Sequence, residues 1–240
     1  MDIKVSIVTI TYNSMRTIKD TFDSILRQTY RPLEYIIVDG GSTDNTIEII
    51  KEYRKKFIEA GIQIKYKSEH DDGISDAFNK GIEQATGDVI GIINSDDKLA
   101  DKALEYLTKV YSPEIGVYYG NCIIFNDDDN KEYIAVPKFI KNEALLNQGM
   151  ALYHPATFIA KKAYASYGGY DKHLKMCMDR ELLLRFHRKK VVFHYINKPL
   201  AYYREGGTNQ LNYKKTALEN EQISVQYGMS KCEAKSRKVY

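Results

Sequence analysis

A continuous apolar run that ends in carboxylates constrains the fold of this chain more than any other stretch. Val89-Ile90-Gly91-Ile92-Ile93 is preceded by Gly87-Asp88 and followed by Asn94-Ser95-Asp96-Asp97. A short apolar run bounded by turn residues predicts a strand that is buried on both faces. We therefore place residues 89–93 at the centre of a sheet that is covered by helices.

Strand and helix patterns alternate through the first hundred residues. Apolar or β-branched runs predict strands at 5–10, 33–38 and 62–66, and helical patterns lie between them and over about 74–85. This alternation predicts βαβ units with right-handed crossovers. The chain is therefore predicted to be an α/β protein with a mostly parallel central sheet flanked by helices.

The second half of the sequence is less regular. It predicts a helix over about 100–111, short strands near 117–119 and 123–125, a hairpin tip at 126–130, and a helix that begins near Met178. Beyond residue 207 the chain is polar and helical without a strong apolar stripe.

Composition and charge narrow the class of protein. Of the 240 residues, 43% are hydrophobic and 28% are charged, which is ordinary for a soluble globular protein. The net charge of +3 is too small to indicate nucleic-acid binding. Three widely spaced cysteines in no metal-ligand pattern favour a reducing compartment. We expect no signal peptide, since the chain enters a strand soon after Met1, and no membrane span, since no run approaches about 18 apolar residues.

Three of the predicted strands end in Asp or Asn side chains, namely Asn13, Asp39 and Asp96. Because ligands of open α/β sheets bind beyond the carboxyl ends of the strands, these residues indicate a nucleotide pocket. The oxygen ligands Asn94, Asp96 and Asp97 also suit Mg²⁺ or Mn²⁺ that bridges to phosphates. The alternative is that all of them form turns and helix N-caps, which Asp and Asn favour.

Two common phosphate-binding motifs do not occur in the sequence. There is no G-x-G-x-x-G, since Gly40-Gly41 lacks the third glycine and the spacing of that motif. There is also no G-K-[ST]. A dinucleotide-binding Rossmann fold and a P-loop NTPase are therefore not supported.

Five motifs in register resemble those of the family 2 inverting glycosyltransferases, which have the GT-A fold. They are Ser6-Ile7-Val8-Thr9-Ile10-Thr11-Tyr12-Asn13, Val38-Asp39-Gly40-Gly41-Ser42-Thr43-Asp44, Asp76-Ala77-Phe78-Asn79-Lys80-Gly81, Asn94-Ser95-Asp96-Asp97 and Asp179-Arg180-Glu181-Leu182. The resemblance is greatest to bacterial enzymes that build surface polysaccharides. It implies a GT-A nucleotide-diphospho-sugar transferase domain over 1–210, with a nucleotide-binding half (1–98) and a less regular acceptor and catalytic half (99–210). Residues 211–240 are expected to form a polar, helical or flexible extension.

The resemblance assigns the nucleotide site residue by residue. Asp39 is expected to hydrogen-bond the base, typically uracil, and Thr11 and Asn13 are expected to line the same pocket. Asp72 and Asp76 fall where the family contacts the nucleoside or the donor sugar. Each assignment has a structural alternative, which is a turn or cap for Asp39, an N-cap for Asn13 and a solvated helix position for Asp76.

The resemblance also implies a metal site. Asp96 matches the retained aspartate of the family's D-x-D motif, in which Asn94 replaces the first aspartate. One formal charge is lost, but water and diphosphate oxygens supply much of the coordination shell of Mg²⁺ or Mn²⁺. Asp96 is expected to contact both metal and nucleotide, and Asp97 to be a second metal ligand or an orienting carboxylate.

Asp179 matches the aspartate of the family's acidic catalytic motif, in which Met178 replaces the more common Glu. An inverting transfer needs one carboxylate that takes the proton of the acceptor hydroxyl. The alternative for Asp179 is a first-turn residue favoured by the helix macrodipole. His154 and Arg204 fall where relatives contact the acceptor or the diphosphate, although a lone His is often structural. Arg185 is expected to form a structural ion pair.

These assignments predict a metal-dependent inverting glycosyltransferase that moves a sugar from a UDP-sugar to a saccharide or lipid-linked saccharide. The Q-x-x-R-W motif of processive synthases is absent, so one sugar is expected per encounter. We expect a cytoplasmic protein that works at the inner face of a bacterial membrane. Basic residues of the tail could meet anionic headgroups there, or could simply be solvated; these are Lys231, Lys235, Arg237 and Lys238.

Two other classes of protein stay open. A nucleotidyltransferase would carry a Gly-rich, basic loop after the first strand, where this chain has Thr11-Tyr12-Asn13. A catalytically inactive sugar-nucleotide-binding protein is favoured by the departures at Asn94 and Met178. Such a protein would bind UDP without turning over a donor.

Overall fold

The computed structural model describes residues 3–128, 131–137, 151–206 and 212–236. The strands are β1 (Val5–Thr11), β2 (Leu33–Asp39), β3 (Gln63–Ser68), β4 (Val89–Ile92), β5 (Lys98–Leu99), β6 (Gly116–Phe125), β7 (Glu132–Ala135), β8 (Thr157–Ala160) and β9 (Val192–Arg204). The helices are α1 (Ile18–Leu26), α2 (Thr46–Glu59), α3 (Ile74–Gln84), α4 (Ala103–Val110), α5 (Lys161–Tyr167), α6 (Met178–Arg188), α7 (Tyr213–Gln226) and α8 (Lys231–Ser236). A 3₁₀ turn at His154–Ala156 precedes β8.

The strands form one mixed sheet in the order β3-β2-β1-β4-β8-β6-β9-β5, with β7 paired to β6. From β3 to β4 the neighbouring strands are parallel, as the alternating pattern predicted. Beyond β4 the pairings are antiparallel, except for the parallel pair β6–β9. The carboxyl ends of β1 to β4 therefore share one edge of the sheet.

Two apolar layers cover this sheet. On one face, Val5 and Ile7 of β1 pack with Phe22 of α1 and Phe57 of α2. On the other face, Val8 packs in the cluster that holds α3 and α6. The alternation of side chains along β1 thus buries both of its faces, which explains why the apolar runs are continuous.

The start of α1 differs from the predicted one. Asn13 was a candidate N-cap, but the helix begins at Ile18, the N-cap position is Thr17, and no side-chain cap bond forms there. Asn13 instead adopts a left-handed backbone with φ of 50°. This conformation is accessible to Asn, and it directs the chain away from the end of β1 before the helix starts.

The second half contains two differences in strand assignment. The two short strands predicted near 117–119 and 123–125 are one strand, β6, which continues through a register irregularity at Gly120-Asn121-Cys122. The sequence did not predict a strand over the residues of the long strand β9. Its Asn197-Lys198-Pro199 sequence is typical of a turn, but it lies opposite the irregularity of β6, where a proline is tolerated.

Helix α7 lies against α6. It buries Ile223 together with the polar side chains Asn220 and Ser224. Of the basic tail residues, Lys231 and Lys235 belong to α8, whereas Arg237 and Lys238 lie outside the described residues. Within the described part of the chain, every helix is too short or too polar to cross a bilayer.

Candidate active site

The ends of the four parallel strands meet as the sequence predicted. Thr11 at the end of β1 lies opposite Asp39 at the end of β2, and Asp39 lies opposite Ser68 of β3. The loop after β4 is joined to the loop after β1 by a hydrogen bond of 2.8 Å between the hydroxyl oxygens of Ser14 and Ser95. Three strand-end loops therefore form one surface at the switch point of the sheet.

Asn13 joins the loops after β1 and β2. Its Oδ1 accepts hydrogen bonds from the backbone N–H groups of Thr43, at 2.8 Å, and Asp44, at 3.3 Å. The hydroxyl of Thr11 is buried beside this loop and has no hydrogen-bond partner. A buried hydroxyl without a partner is costly, so a ligand polar atom that reached it would be favoured.

Asp39 is fully buried, and its carboxylate organises the loop that follows β2. Oδ2 accepts from the backbone N–H groups of Gly41 (3.1 Å) and Ser42 (3.0 Å) and from the hydroxyl of Ser68 (2.6 Å), while Oδ1 accepts from the Ser42 hydroxyl. The structure thus shows the turn role of Asp39. Contact with a nucleobase stays a prediction, for which the free lone pair of Oδ1 remains.

The loop before α3 holds two further predicted residues. Asp72 is exposed, and its backbone N–H donates to the Asp76 carboxylate at 3.3 Å. Asp76 is only 5% exposed, so the solvated alternative was wrong. Its oxygens pair with the ammonium groups of Lys172 at 2.6 Å and Lys80 at 3.0 Å, which together hold the pKa of Asp76 well below its usual range.

The loop after β4 concentrates negative charge. Asp97 is buried, and its carboxylate accepts from the backbone N–H of Arg204 at 3.1 Å and from Nδ2 of Asn94 at 3.3 Å. Burial, and next the charge of Asp96, raise the pKa of Asp97 well above its usual value. Burial also raises the pKa of the half-buried Asp96. This placement favours the orienting role for Asp97 over the metal-ligand role.

The residues present fit a divalent cation shared with a diphosphate. The side-chain oxygen of Asn94 is buried without a hydrogen-bond partner, next to two carboxylates whose charged forms are disfavoured. Across the described ranges, no group of three or more His, Cys, Asp or Glu side chains could hold a metal alone. Asp96 and Asn94 could hold Mg²⁺ or Mn²⁺ with phosphate oxygens and water, which is the usual manner for Mg²⁺.

Arg204 fastens the end of β9 to this loop. Its Nε donates to the backbone oxygen of Asp96 at 3.0 Å, and its guanidinium pairs with Asp20 at 2.8 Å and with Asp127. The side chain is 11% exposed. In this arrangement the guanidinium supports the loop, and the predicted contact with a diphosphate would require exchange of Asp20 or Asp127 for phosphate.

Asp179 lies in the first turn of α6, as predicted. Its Oδ1 accepts from the backbone N–H of Arg180 at 2.7 Å. Burial nevertheless raises the pKa of Asp179 from 3.8 to about 6. A cavity of about 10 Å³, room for roughly one water, lies beside it. The lining is mostly apolar and includes His154, Tyr164, Tyr170, Ile92, Leu182 and Leu183.

His154 belongs to the wall of this cavity. Its Nε2 lies 2.8 Å from the hydroxyl oxygen of Tyr170, and its ring centroid lies 5.0 Å from that of Phe78, with the two rings tilted by 30°. Burial lowers the pKa of His154 to about 4, so the ring is neutral near pH 7. The structure therefore shows a packing role for His154. Arg185 forms the expected ion pair, with Glu181 at 2.9 Å.

Tyr203 is a site residue that the sequence did not single out. Burial, and next the charges of Asp97, Asp96 and Asp179, raise the pKa of its phenol to about 12. The backbone N–H of the next residue, Arg204, donates to the Asp97 carboxylate at 3.1 Å, so Tyr203 lies beside the Asp96-Asp97 loop. Its position depends on the pairing of β9 with β6, for which the sequence offered no signal.

Comparisons with known proteins identify the family of this chain. The family model described as "Glycosyl transferase family 2" matches residues 6–168. Glycosyltransferase GlyA of Streptococcus pneumoniae is 30% identical over 137 residues, which are 57% of this chain and 19% of that protein. A "PGL/p-HBAD biosynthesis glycosyltransferase" of Mycobacterium bovis is 26% identical over 228 residues, which are 93% of this chain and 86% of that protein. The chain therefore spans a small part of some relatives and most of others.

Solved structures share the fold. S. aureus TarS 1–349 in complex with UDP-GlcNAc has a TM-score of 0.69 at 15% identity, with 96% of this chain and 69% of TarS covered. The mannosyltransferase PcManGT of Pyrobaculum calidifontis, in complex with GDP-Man and Mn²⁺, has a TM-score of 0.70 at 17% identity, with 98% and 68% covered. The predicted GT-A fold is confirmed.

Proposed function

The chain belongs to glycosyl transferase family 2, and we propose that it transfers a sugar, with inversion, from a nucleotide-sugar to a saccharide or lipid-linked saccharide acceptor. The observation that carries this proposal is the Asp179 carboxylate, whose pKa is raised to about 6. The cavity beside it is also lined by Ile92, the last residue of β4, and the Asn94-Asp97 loop follows that strand. A base and a phosphate-binding loop on one site are the two parts that such a transfer needs.

The donor is proposed to lie along the ends of β1 to β4. The Asp39 loop and the buried hydroxyl of Thr11 would contact the nucleoside, and the exposed Asp72 would lie toward the sugar. UDP is the proposed carrier because TarS, which shares this fold, binds UDP-GlcNAc. The proposed setting is surface polysaccharide synthesis in the cytoplasm, which the three unpaired cysteines support.

The diphosphate is proposed to lie over Asn94 and Asp96. A divalent cation held there would offset the charge that develops on the leaving diphosphate. The buried Asn94 oxygen and the carboxylate of Asp96 would contribute to its shell. Asp97 would keep Asn94 oriented through the 3.3 Å hydrogen bond between them.

Asp179 is proposed to act as the general base. The acceptor oxygen forms a bond to the anomeric carbon, the bond from that carbon to the diphosphate oxygen breaks, and the acceptor proton moves to Asp179. With a pKa of about 6, the carboxylate is mostly ionised at pH 7 and still a better proton acceptor than an ordinary Asp. The mostly apolar cavity beside it maintains that pKa.

Turnover of a donor tests this proposal against the two rival functions. We expect the protein with Mn²⁺ to release UDP from at least one of UDP-GlcNAc, UDP-GalNAc, UDP-glucose and UDP-galactose, slowly to water and faster with a saccharide acceptor. Asp179→Asn should lower the rate by a factor on the order of 100 or more, since general-base catalysis contributes about 10²–10⁴.

The matched control is Asp101→Asn, because Asp101 is 77% exposed and its carboxylate pairs with Arg27, which is not among the proposed site residues. This variant should keep the wild-type rate. Equal rates for Asp179→Asn and the wild type would contradict the base assignment. UDP binding without turnover of any donor would favour the inactive binding protein, and formation of a UDP-sugar from UTP and a sugar phosphate would favour the nucleotidyltransferase.

A further inference from the structure

Helix α7 is attached to the segment that carries Asp179 mainly by polar contacts. Its buried residues are Asn220, Ile223 and Ser224. Ile223 packs with Cys177, Leu184 and Tyr227 in a small apolar cluster. The remaining attachment consists of hydrogen bonds, which fix relative positions more narrowly than an apolar face does.

Glu219 of α7 binds the segment immediately before α6. Its carboxylate accepts from three successive backbone N–H groups, those of Lys175 at 2.9 Å, Met176 at 2.8 Å and Cys177 at 2.9 Å. Successive N–H groups that point inward form a concavity that binds an anion. Here that anion is the side chain of another helix, and the concavity ends two residues before Asp179.

Asn220 and Ser224 hold the residue after Asp179. Arg180 is only 2% exposed, and its Nη1 donates to both the backbone oxygen and the Oδ1 of Asn220, each at 3.0 Å. Its Nη2 donates to the hydroxyl of Ser224 at 2.9 Å. One turn along, the hydroxyl of Tyr227 donates to Glu181 at 2.6 Å. Partners on or just after α7 therefore hold both flanks of Asp179.

We propose that α7 positions the proton-accepting carboxylate, with Glu219 and Asn220 as positioning residues for Asp179. From the opposite side, the hydroxyl of Ser75 in α3 donates to the backbone oxygen of Leu174 at 2.8 Å, so the segment before α6 is held between two helices. The proposal rests on the proposed function, since it presupposes that Asp179 takes the proton.

The charge of Glu219 also acts on Asp179. Burial is the main cause that raises the pKa of Asp179, hydrogen bonding and the charge of Arg180 oppose it, and the charge of Glu219 adds to it. The other titratable groups that face this carboxylate are uncharged near pH 7. They are the thiol of Cys177, the imidazole of His154 and the phenols of Tyr164, Tyr170 and Tyr203. Loss of the Glu219 charge, or greater exposure of Asp179, would lower the pKa of Asp179.

Glu219→Gln tests the proposal, because the NH₂ group of the Gln side chain would face at least one of the three backbone N–H groups that now donate to the Glu219 carboxylate. We expect kcat for UDP release from the best UDP-sugar to fall about 10- to 100-fold, the size of effect that a small misplacement of a catalytic group produces. KM for the UDP-sugar should change less than twofold, because the donor lies along β1 to β4. The acid limb of kcat should move to lower pH.

Glu221→Gln is the matched control, since Glu221 lies on the same helix and the charge change is identical. This variant should behave as the wild type. Hydrogen exchange of the amides of residues 175–177 should be faster in Glu219→Gln and unchanged in Glu221→Gln. If Glu219→Gln does not fold, Ser224→Ala, which removes one hydrogen bond to Arg180, takes its place with the same expected fall in kcat at a nearly constant KM.

Equal kcat, equal pH profile and equal exchange in Glu219→Gln and Glu221→Gln would overturn the proposal. A fall in kcat accompanied by an equal rise in KM and no shift of the acid limb would also overturn it, since that pattern indicates general destabilisation. If the wild type itself turns over no UDP-sugar, the proposed function fails instead, and the exchange measurement alone then decides whether Glu219 holds the segment before Asp179.

Discussion

Asp179 combines a raised pKa with a position beside a mostly apolar cavity. Because burial raises the pKa of this carboxylate to about 6, the ionised base is lost as the pH falls through that value. We predict that kcat is nearly constant above pH 7 and decreases about tenfold per pH unit below about pH 5. A rate profile between pH 4.5 and 8.5 measures this, and a flat profile down to pH 5 would contradict it.

For individual residues, the positions of the site side chains in strands and helices were predictable from the sequence, whereas their interaction partners were not. Asp39, Asp96 and Asp179 follow strands or begin a helix, so their placement at the sheet edge followed from local patterns. The partners of Asp76 did not, because Lys172 is 96 residues away and approaches only when the second half folds. Pairing over such separations leaves no local signal in the sequence.

At the scale of elements, the packing of α3 on β1 depends on a glycine. A Cβ added to Gly81 would lie 2.2 Å from Cγ1 of Val8, which is buried in the centre of the sheet. Gly→Ala within a helix ordinarily stabilises by roughly 0.5–1 kcal/mol. We predict instead that Gly81→Ala lowers the free energy of unfolding by about 1–3 kcal/mol, because overpacking forces the helix away from the strand.

Urea unfolding of Gly81→Ala, Val8→Ala and the double variant measures this effect. The double variant should be less destabilised than the sum of the single variants, since removal of the Val8 methyl groups makes room for the new Cβ. Additive losses, or a stabilised Gly81→Ala, would contradict the close contact.

Elements with a strong local period were predicted and those that depend on distant pairing were not. The parallel strands β1, β2 and β4 carry continuous apolar runs, and the helices between the strands carry amphipathic patterns. Strand β9 lacks such a run, because it contains a turn-like Asn-Lys-Pro sequence opposite the irregularity in β6. The same pairing places Tyr203 beside the Asp96-Asp97 loop, so a missed strand meant that this residue was missed as well.

At the scale of the whole molecule, the site is assembled from both halves of the chain. The family model covers residues 6–168, whereas Asp179, Tyr203, Arg204 and α7 lie beyond it. The proposed nucleotide side is therefore built from local βαβ units, and the proposed catalytic side depends on late elements that fold back over the sheet. The stability of the first part and the activity of the whole should respond to different substitutions.

We propose that a nucleotide binds at the ends of β1 to β4 together with a divalent cation. Thermal unfolding with UDP, GDP, dTDP or CMP, each with and without Mn²⁺, tests this binding most directly. A ligand at 100 times its Kd stabilises the native state by about 2.7 kcal/mol, which should raise Tm by roughly 5–10 °C. We predict a shift with UDP that depends on Mn²⁺, disappears in Asp96→Ala and persists in Asp101→Ala. No shift in Tm with any nucleotide, or an equal shift in Asp96→Ala, would contradict the proposed binding of a nucleotide and a cation at these strand ends.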